Sequence, residues 1–237
     1  MKAEPTWDLQ TLVAGVRRSS AAYDRHLSET FGSSYDWSDE LRFSRATGRL
    51  VSLVLKTPEA GTVAREVASA WLALPRVAGL PLIAERELGF HVDPFDHRVM
   101  SAGGHHLLVL AADAGLQGAT LRLMIHPSID LLFSDGRYCG WVLHKPVLHL
   151  AGASGQRRAS DDGADDGSAM SPALTEAVAE YLELVVEPNL DRMSDQAPDL
   201  LARLSALRAR VAATGGLGVA ASVLRQRIEE VIETFYG

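Results

Sequence analysis

Along the first part of the chain the apolar positions recur with a helical period. Leu9, Leu12, Val13, Val16, Tyr23 and Leu27 stand three, four and seven apart, the stripe of an amphipathic helix, and predict one over residues 6–31. The polar stretch FGSSYDWSDE then ends it. In LRFSRATGRLVSLVLK the period shortens, with Leu41 and Phe43 before RATGR and Leu50, Val51, Leu53 and Val54 after it, so two strands joined as a hairpin are expected. Val63, Val67, Ala70, Trp71 and Leu74 restore helical spacing over residues 61–74. Pro75 ends that helix, because a residue preceding proline is pushed out of the helical region.

Five short β-type runs follow: PLIAERELGF, HHLLVLAAD, ATLRLMIH, SIDLLF and RYCGWVLH. Their separators are rich in Gly, Pro, Asp and Ser, and such short connections favour antiparallel pairing. Asp135 and Gly136 form a two-residue link of the kind that suits a type I′ turn, and both faces of the hairpin around it are largely apolar, which predicts a central position covered by helices. Beyond residue 171 three helical patterns appear, running from Leu174 to Val185, from Leu200 to Val211 and from Val219 to Phe235, with Pro188, Pro198 and the TGG at Thr214–Gly216 as breaks.

The fold class read from these patterns is α+β. A mainly antiparallel sheet of six or seven strands is packed by two helices within residues 1–151, a flexible linker covers 152–171, and a three-helix C-terminal segment occupies 172–237. The linker follows from composition: from Gly152 to Ser171 only Met170 is an apolar side chain larger than Ala, too little to offset the entropy of ordering.

Composition narrows the function classes. The chain has 237 residues, 47% of them hydrophobic and 22% charged, an ordinary globular mixture long enough to bury a core without staples. Thirty acidic against 23 basic side chains give a net charge of −7, and the basic ones form no stripe, so nucleic-acid binding is disfavoured. Cys139 is the single cysteine; an intrachain disulfide and the cysteine-rich zinc patterns are excluded. The N-terminal MKAEPTWDLQ has no apolar core after its lysine and no run of eighteen apolar residues occurs, so a cytoplasmic protein without a membrane span is expected.

The densest chemistry lies in FHVDPFDHRVMSAGGHH. Seven of the eight histidines, His91, His97, His105, His106, His126, His144 and His149, fall between positions 91 and 149. A divalent metal held by His91, His97, His126 and Asp93, with Asp96 or Asp130 as ligand or base, would make a metal-dependent hydrolase. The competing explanation is local: DPFD and SAGG are turn sequences, leaving a short strand between them, and aspartates in such turns cap backbone groups. The HxDxxDH spacing also lacks the helical H-E-x-x-H pattern.

Elsewhere the motifs are incomplete. Cys139 sits mid-strand between Tyr138 and Trp141, where a thiol behaves as a small hydrophobe. TGGLGVAAS lacks the lysine of a phosphate loop. DDGADDG lacks the glutamate that closes a calcium loop. Trp37 and Tyr35, in a loop with acids, are the candidate partner-contacting aromatics; Trp71 and Trp141 read as core. With no complete catalytic signature and no required cofactor, the expectation is a non-enzymatic protein-binding protein of adaptor, inhibitor or immunity type. A metal-dependent hydrolase and a small-molecule sensor are the alternatives.

Overall fold

The computed structural model describes residues 5–15, 20–33, 38–58, 65–83, 90–151, 171–214 and 218–237. The expected linker therefore lies, apart from Ser171, outside the described residues, as do Trp37 and Tyr35.

The chain opens with β1 (Thr6–Asp8), β2 (Val13–Gly15), α1 (Ser20–Glu29), β3 (Thr30–Gly32), β4 (Glu40–Ser44) and β5 (Leu50–Lys56). The helix expected over residues 6–31 is thus confined to its second half. The first half is an antiparallel hairpin, with Trp7 paired to Ala14. Its turn explains the misleading spacing: Asp8 Oδ1 accepts the Gln10 N–H at 2.8 Å, and Leu12 adopts φ 51°. A tight turn spaces Leu9, Leu12 and Val13 much as a helical turn would, and an aspartate bonded to the backbone two residues on is ordinary turn chemistry. The predicted hairpin of residues 41–56 is present as β4 and β5, with a register shift between Arg42 and Phe43.

Next come α2 (Arg65–Ala73), β6 (Arg76–Ala78), β7 (His97–Met100), β8 (His106–Leu110), β9 (Thr120–His126), β10 (Ile129–Ser134), β11 (Arg137–His144) and β12 (Leu150–Ala151). β7 is the short strand expected between the DPFD and SAGG turns. The run at 81–90 is different: its described part forms only a single bridge from Leu82 to Arg49, whereas the unpredicted β6 lies just before it.

These strands make two six-stranded sheets rather than one. The first has the order β12-β1-β2-β5-β4-β3 and the second β6-β9-β10-β11-β8-β7. All pairings are antiparallel except β1 with β12 and β6 with β9. The Asp135-Gly136 hairpin takes the central place the sequence implied, with positive φ at both turn residues (49° and 77°), as a type I′ turn requires.

α2 covers one face of the second sheet. Trp71 is fully buried there among Leu108, Leu110, Leu132 and Val142, and its indole N–H donates to the Ala114 carbonyl at 3.0 Å. The opposite face, carrying Leu107, Val109, Leu131 and Trp141, belongs to a core shared with the first sheet and the C-terminal helices.

That C-terminal part holds four helices, α3 (Pro172–Leu184), α4 (Glu187–Ser194), α5 (Pro198–Ala213) and α6 (Val219–Tyr236), where three were expected. Pro188 was read as a break but stands in the first turn of α4. There its missing N–H would have had no intrahelical partner anyway. Pro172 and Pro198 begin their helices in the same way.

Candidate functional site

Among the described residues β7 is the last strand of its sheet, and it lies at the bottom of a groove of about 560 Å3 between α2 and α3. One wall is α2, through Arg65, Ala68, Ser69 and Leu72; the other is α3, through Ala179, Leu182 and Glu183, continued by Val186 just before α4. Val99, Met100 and Ser101 form the floor with Arg98. The groove stays open because small residues, Ala68, Ser69 and Ala179, stand where larger ones would close it. Arg98 fixes its width: only 5% exposed, it donates to the carbonyls of Leu182 and, at 3.2 Å, Val185. A guanidinium at the C-terminal end of α3 satisfies carbonyls that the helix leaves open and offsets their partial negative charge.

A second polar assembly lies beneath the C-terminal end of α2. Asp130 on β10 is fully buried. Arg76 reaches both its oxygens, with Nη2 to Oδ1 at 2.8 Å; Arg122 Nε donates to Oδ2 at 2.8 Å and His144 Nε2 at 2.7 Å. Burial would raise this carboxyl, but the His144 and Arg76 hydrogen bonds, the neighbouring His144 charge and the Arg122 hydrogen bond outweigh it and bring it down to about 2. Arg122 also donates to the Leu72 carbonyl, tying α2 to the sheet.

The network extends to the groove floor. The His106 and His144 rings meet edge to face at 4.9 Å, and His106 N–H donates to Ser101 Oγ at 3.0 Å. Burial first, then the neighbouring His144, Arg122 and His105, push the His106 imidazole down to about 4. Such a ring is neutral near pH 7 and a weak proton acceptor. Ser101 Oγ, 3.4 Å from its Nδ1, therefore has no strong base to activate it.

The sequence-proposed metal ligands lie apart in role and environment. His91 and Asp93 are exposed and pair with each other at 3.3 Å, and Asp93 also meets Arg137 at 3.4 Å. His97 is half-buried on β7, and His126 is buried at the end of β9, where its Nδ1 accepts the Ser128 N–H at 3.1 Å. Asp96 was expected to cap its own turn; it instead accepts the Ala112 N–H at 2.9 Å. Among the described residues no group of three or more His, Cys, Asp or Glu side chains is arranged to hold a metal ion. Cys139 is buried, with desolvation pushing its thiol up to about 12, so it is protonated and unreactive at neutral pH.

Sequence reasoning missed both the groove and the assembly at Asp130. A signal was present for the second: Arg122, Asp130 and His144 are each a polar residue inside an apolar strand run. For the groove there was little beyond the short strand at residues 97–100 and the alanines of two amphipathic helices. No protein-family model and no curated protein matches the chain.

Proposed function

We propose that this is a cytoplasmic, non-enzymatic protein-binding protein that docks its partner in the groove between α2 and α3. The observation that carries the reading is the groove itself, a largely apolar channel bounded by two helices and floored by β7, the last strand of its sheet among the described residues. Edge strands are normally blunted by charge, proline or a covering element. Here the flanking helices leave room for a chain to enter.

Charge and composition agree with this assignment. The net charge is −7, which disfavours a polyanionic partner such as nucleic acid. The single cysteine is a buried free thiol, which suits a reducing compartment. Among the described residues no helix is long and apolar enough to cross a membrane.

The test is capture from native cells with the tagged full chain, run beside Ala179→Trp, which fills the groove from a half-buried position on α3. The expected result is one protein retained in stoichiometric amount by the wild type and lost by the variant at unchanged melting temperature. Equal retention by both would remove the groove from the reading, and recovery of the bare chain in repeated trials would remove the reading itself.

A further inference from the structure

We propose that Asp39 is a protonation-controlled joint between the two sheets: its neutral carboxyl closes the seam between β5 and β11, and its ionised form opens that seam to water. The first ground is the geometry of the seam. Asp39 stands just before β4, is 2% exposed, and accepts the Lys56 N–H of β5 on Oδ1 at 2.6 Å. Its Oδ2 lies 2.6 Å from Tyr138 Oη of β11, in the other sheet. Ser33 Oγ donates to the Asp39 carbonyl at 2.9 Å and accepts the Leu41 N–H at 3.0 Å. The backbone on either side is thus pinned, and a change of charge falls on the side chain. A carboxylate offers about four acceptor sites. This one meets two donors and makes no ion pair among the described residues, which suits the neutral acid and not its anion. The hydroxyls of Ser38 and Thr57, next in sequence to Asp39 and Lys56, are buried without hydrogen-bond partners among the described residues. The closed seam therefore holds polar groups that entering water would satisfy.

The second ground is the set of charges around it. From β5 the Lys56 ammonium acts on Asp39 and on its neighbour Glu40 of β4, whose carboxyl is itself raised by burial and on which Arg42 also acts. From β11 comes the Tyr138 phenol, held well above 10 by burial and then by the charge and hydrogen bond of Asp39, and beside it the Cys139 thiol, pushed up to about 12. Burial raises the Asp39 carboxyl to about 7 against the Tyr138 and Lys56 hydrogen bonds and the Lys56 charge. Phenol and thiol therefore keep their protons through the range in which Asp39 loses its own. Each pH unit above that value multiplies the ratio of ionised to neutral Asp39 by about ten. The Tyr138 ring meets Phe95 edge to face at 5.2 Å and Phe133 at 5.8 Å, so a displaced phenol disturbs the DPFD turn.

The experiment follows the full chain by NMR between about pH 5 and 9. Three signals are read: the Asp39 carboxyl carbon, identified by its loss in Asp39→Asn, the Lys56 amide and the Phe95 ring. The carboxyl is expected to titrate near neutrality. Over the same range the protection of the Lys56 amide against hydrogen exchange should fall about tenfold or more, and the Phe95 ring signals should move with it. In Asp39→Asn both responses should vanish. Tyr138→Phe removes a hydrogen bond that favours the charged form and should move the carboxyl's midpoint upward, a shift that identifies the same carbon if Asp39→Asn fails to fold. A carboxyl that titrates in the ordinary aspartate range would overturn the proposal. So would one that titrates near neutrality with Lys56 and Phe95 unchanged, since its proton would then leave the seam as it was.

Discussion

At the level of single residues the molecule concentrates its electrostatics on two buried carboxylates with opposite shifts. Asp39, 2% exposed, accepts from Tyr138 Oη at 2.6 Å and from the Lys56 N–H at 2.6 Å, and so bridges the two sheets. Desolvation outweighs both bonds and the Lys56 charge and raises its carboxyl from 3.8 to about 7. The folded state then holds a proton that the unfolded state has released, so this group's contribution to stability falls as pH rises from about 4 through 7. Asp39→Asn should flatten that slope, seen as a melting temperature less sensitive to pH between those values; an unchanged slope would contradict the assignment. Asp130 works in reverse. Its folded value of about 2 lies below the ordinary 3.8, so its contribution is present above about pH 4 and is lost as pH falls toward 2. Asp130→Ala leaves Arg122, only 4% exposed, with an unbalanced charge and should cost about 3–5 kcal/mol in urea denaturation at pH 7. None of this pairing could be read from the sequence, because Arg76 and Asp130 stand 54 positions apart. What the sequence did hold was a lone charge within each of two apolar runs, Arg122 in ATLRLMIH and Asp130 in SIDLLF.

At the scale of elements, two glycines of one hairpin separate conformational cost from steric cost. Gly136 has φ 77° and nothing within 4 Å of where a Cβ would stand, so Gly136→Ala should cost only the left-handed penalty, about 1–2 kcal/mol. At Gly140 a Cβ would sit 2.3 Å from the Val109 carbonyl oxygen, inside the β8–β11 ladder. Gly140→Ala should therefore lose more stability than Gly136→Ala, with urea midpoints of the two variants as the check; the reverse order would contradict this packing. The Asp-Gly turn was legible because turn chemistry is local. The β1–β2 hairpin was not, since its buried residues happen to fall at helical spacing, and α4 was hidden because a proline that opens a helix looks in sequence like one that ends it. β6 carries only three residues, all exposed, too few to show an alternation.

On the scale of the whole molecule, composition shows where the chain leaves the sheets for the helices but not how the two parts pack. The structure shows a shared core beside the smaller cluster under α2: Trp7 and Leu53 of the first sheet, Leu131 and Trp141 of the second, and Val178, Leu204 and Ile228 of the helices belong to the same buried cluster. The helices should therefore melt with the sheets. Trp7, Trp71 and Trp141 all sit in or against the sheets at 0% exposure, so their fluorescence reports mainly on the sheets, whereas far-UV circular dichroism is dominated by the helices. Leu204, on α5 and fully buried, provides the perturbation. Leu204→Ala should destabilise by about 2–5 kcal/mol and shift the fluorescence and dichroism midpoints by the same amount, because a shared core makes a local loss global. If the dichroism transition moved down alone while the fluorescence transition stayed in place, the helices would be a separately folding unit. The α3 wall of the groove could then open without disturbing the β7 floor. Coincident shifts would instead make the groove a fixed slot whose width is set by the whole fold, which favours a partner that adapts its own backbone to it.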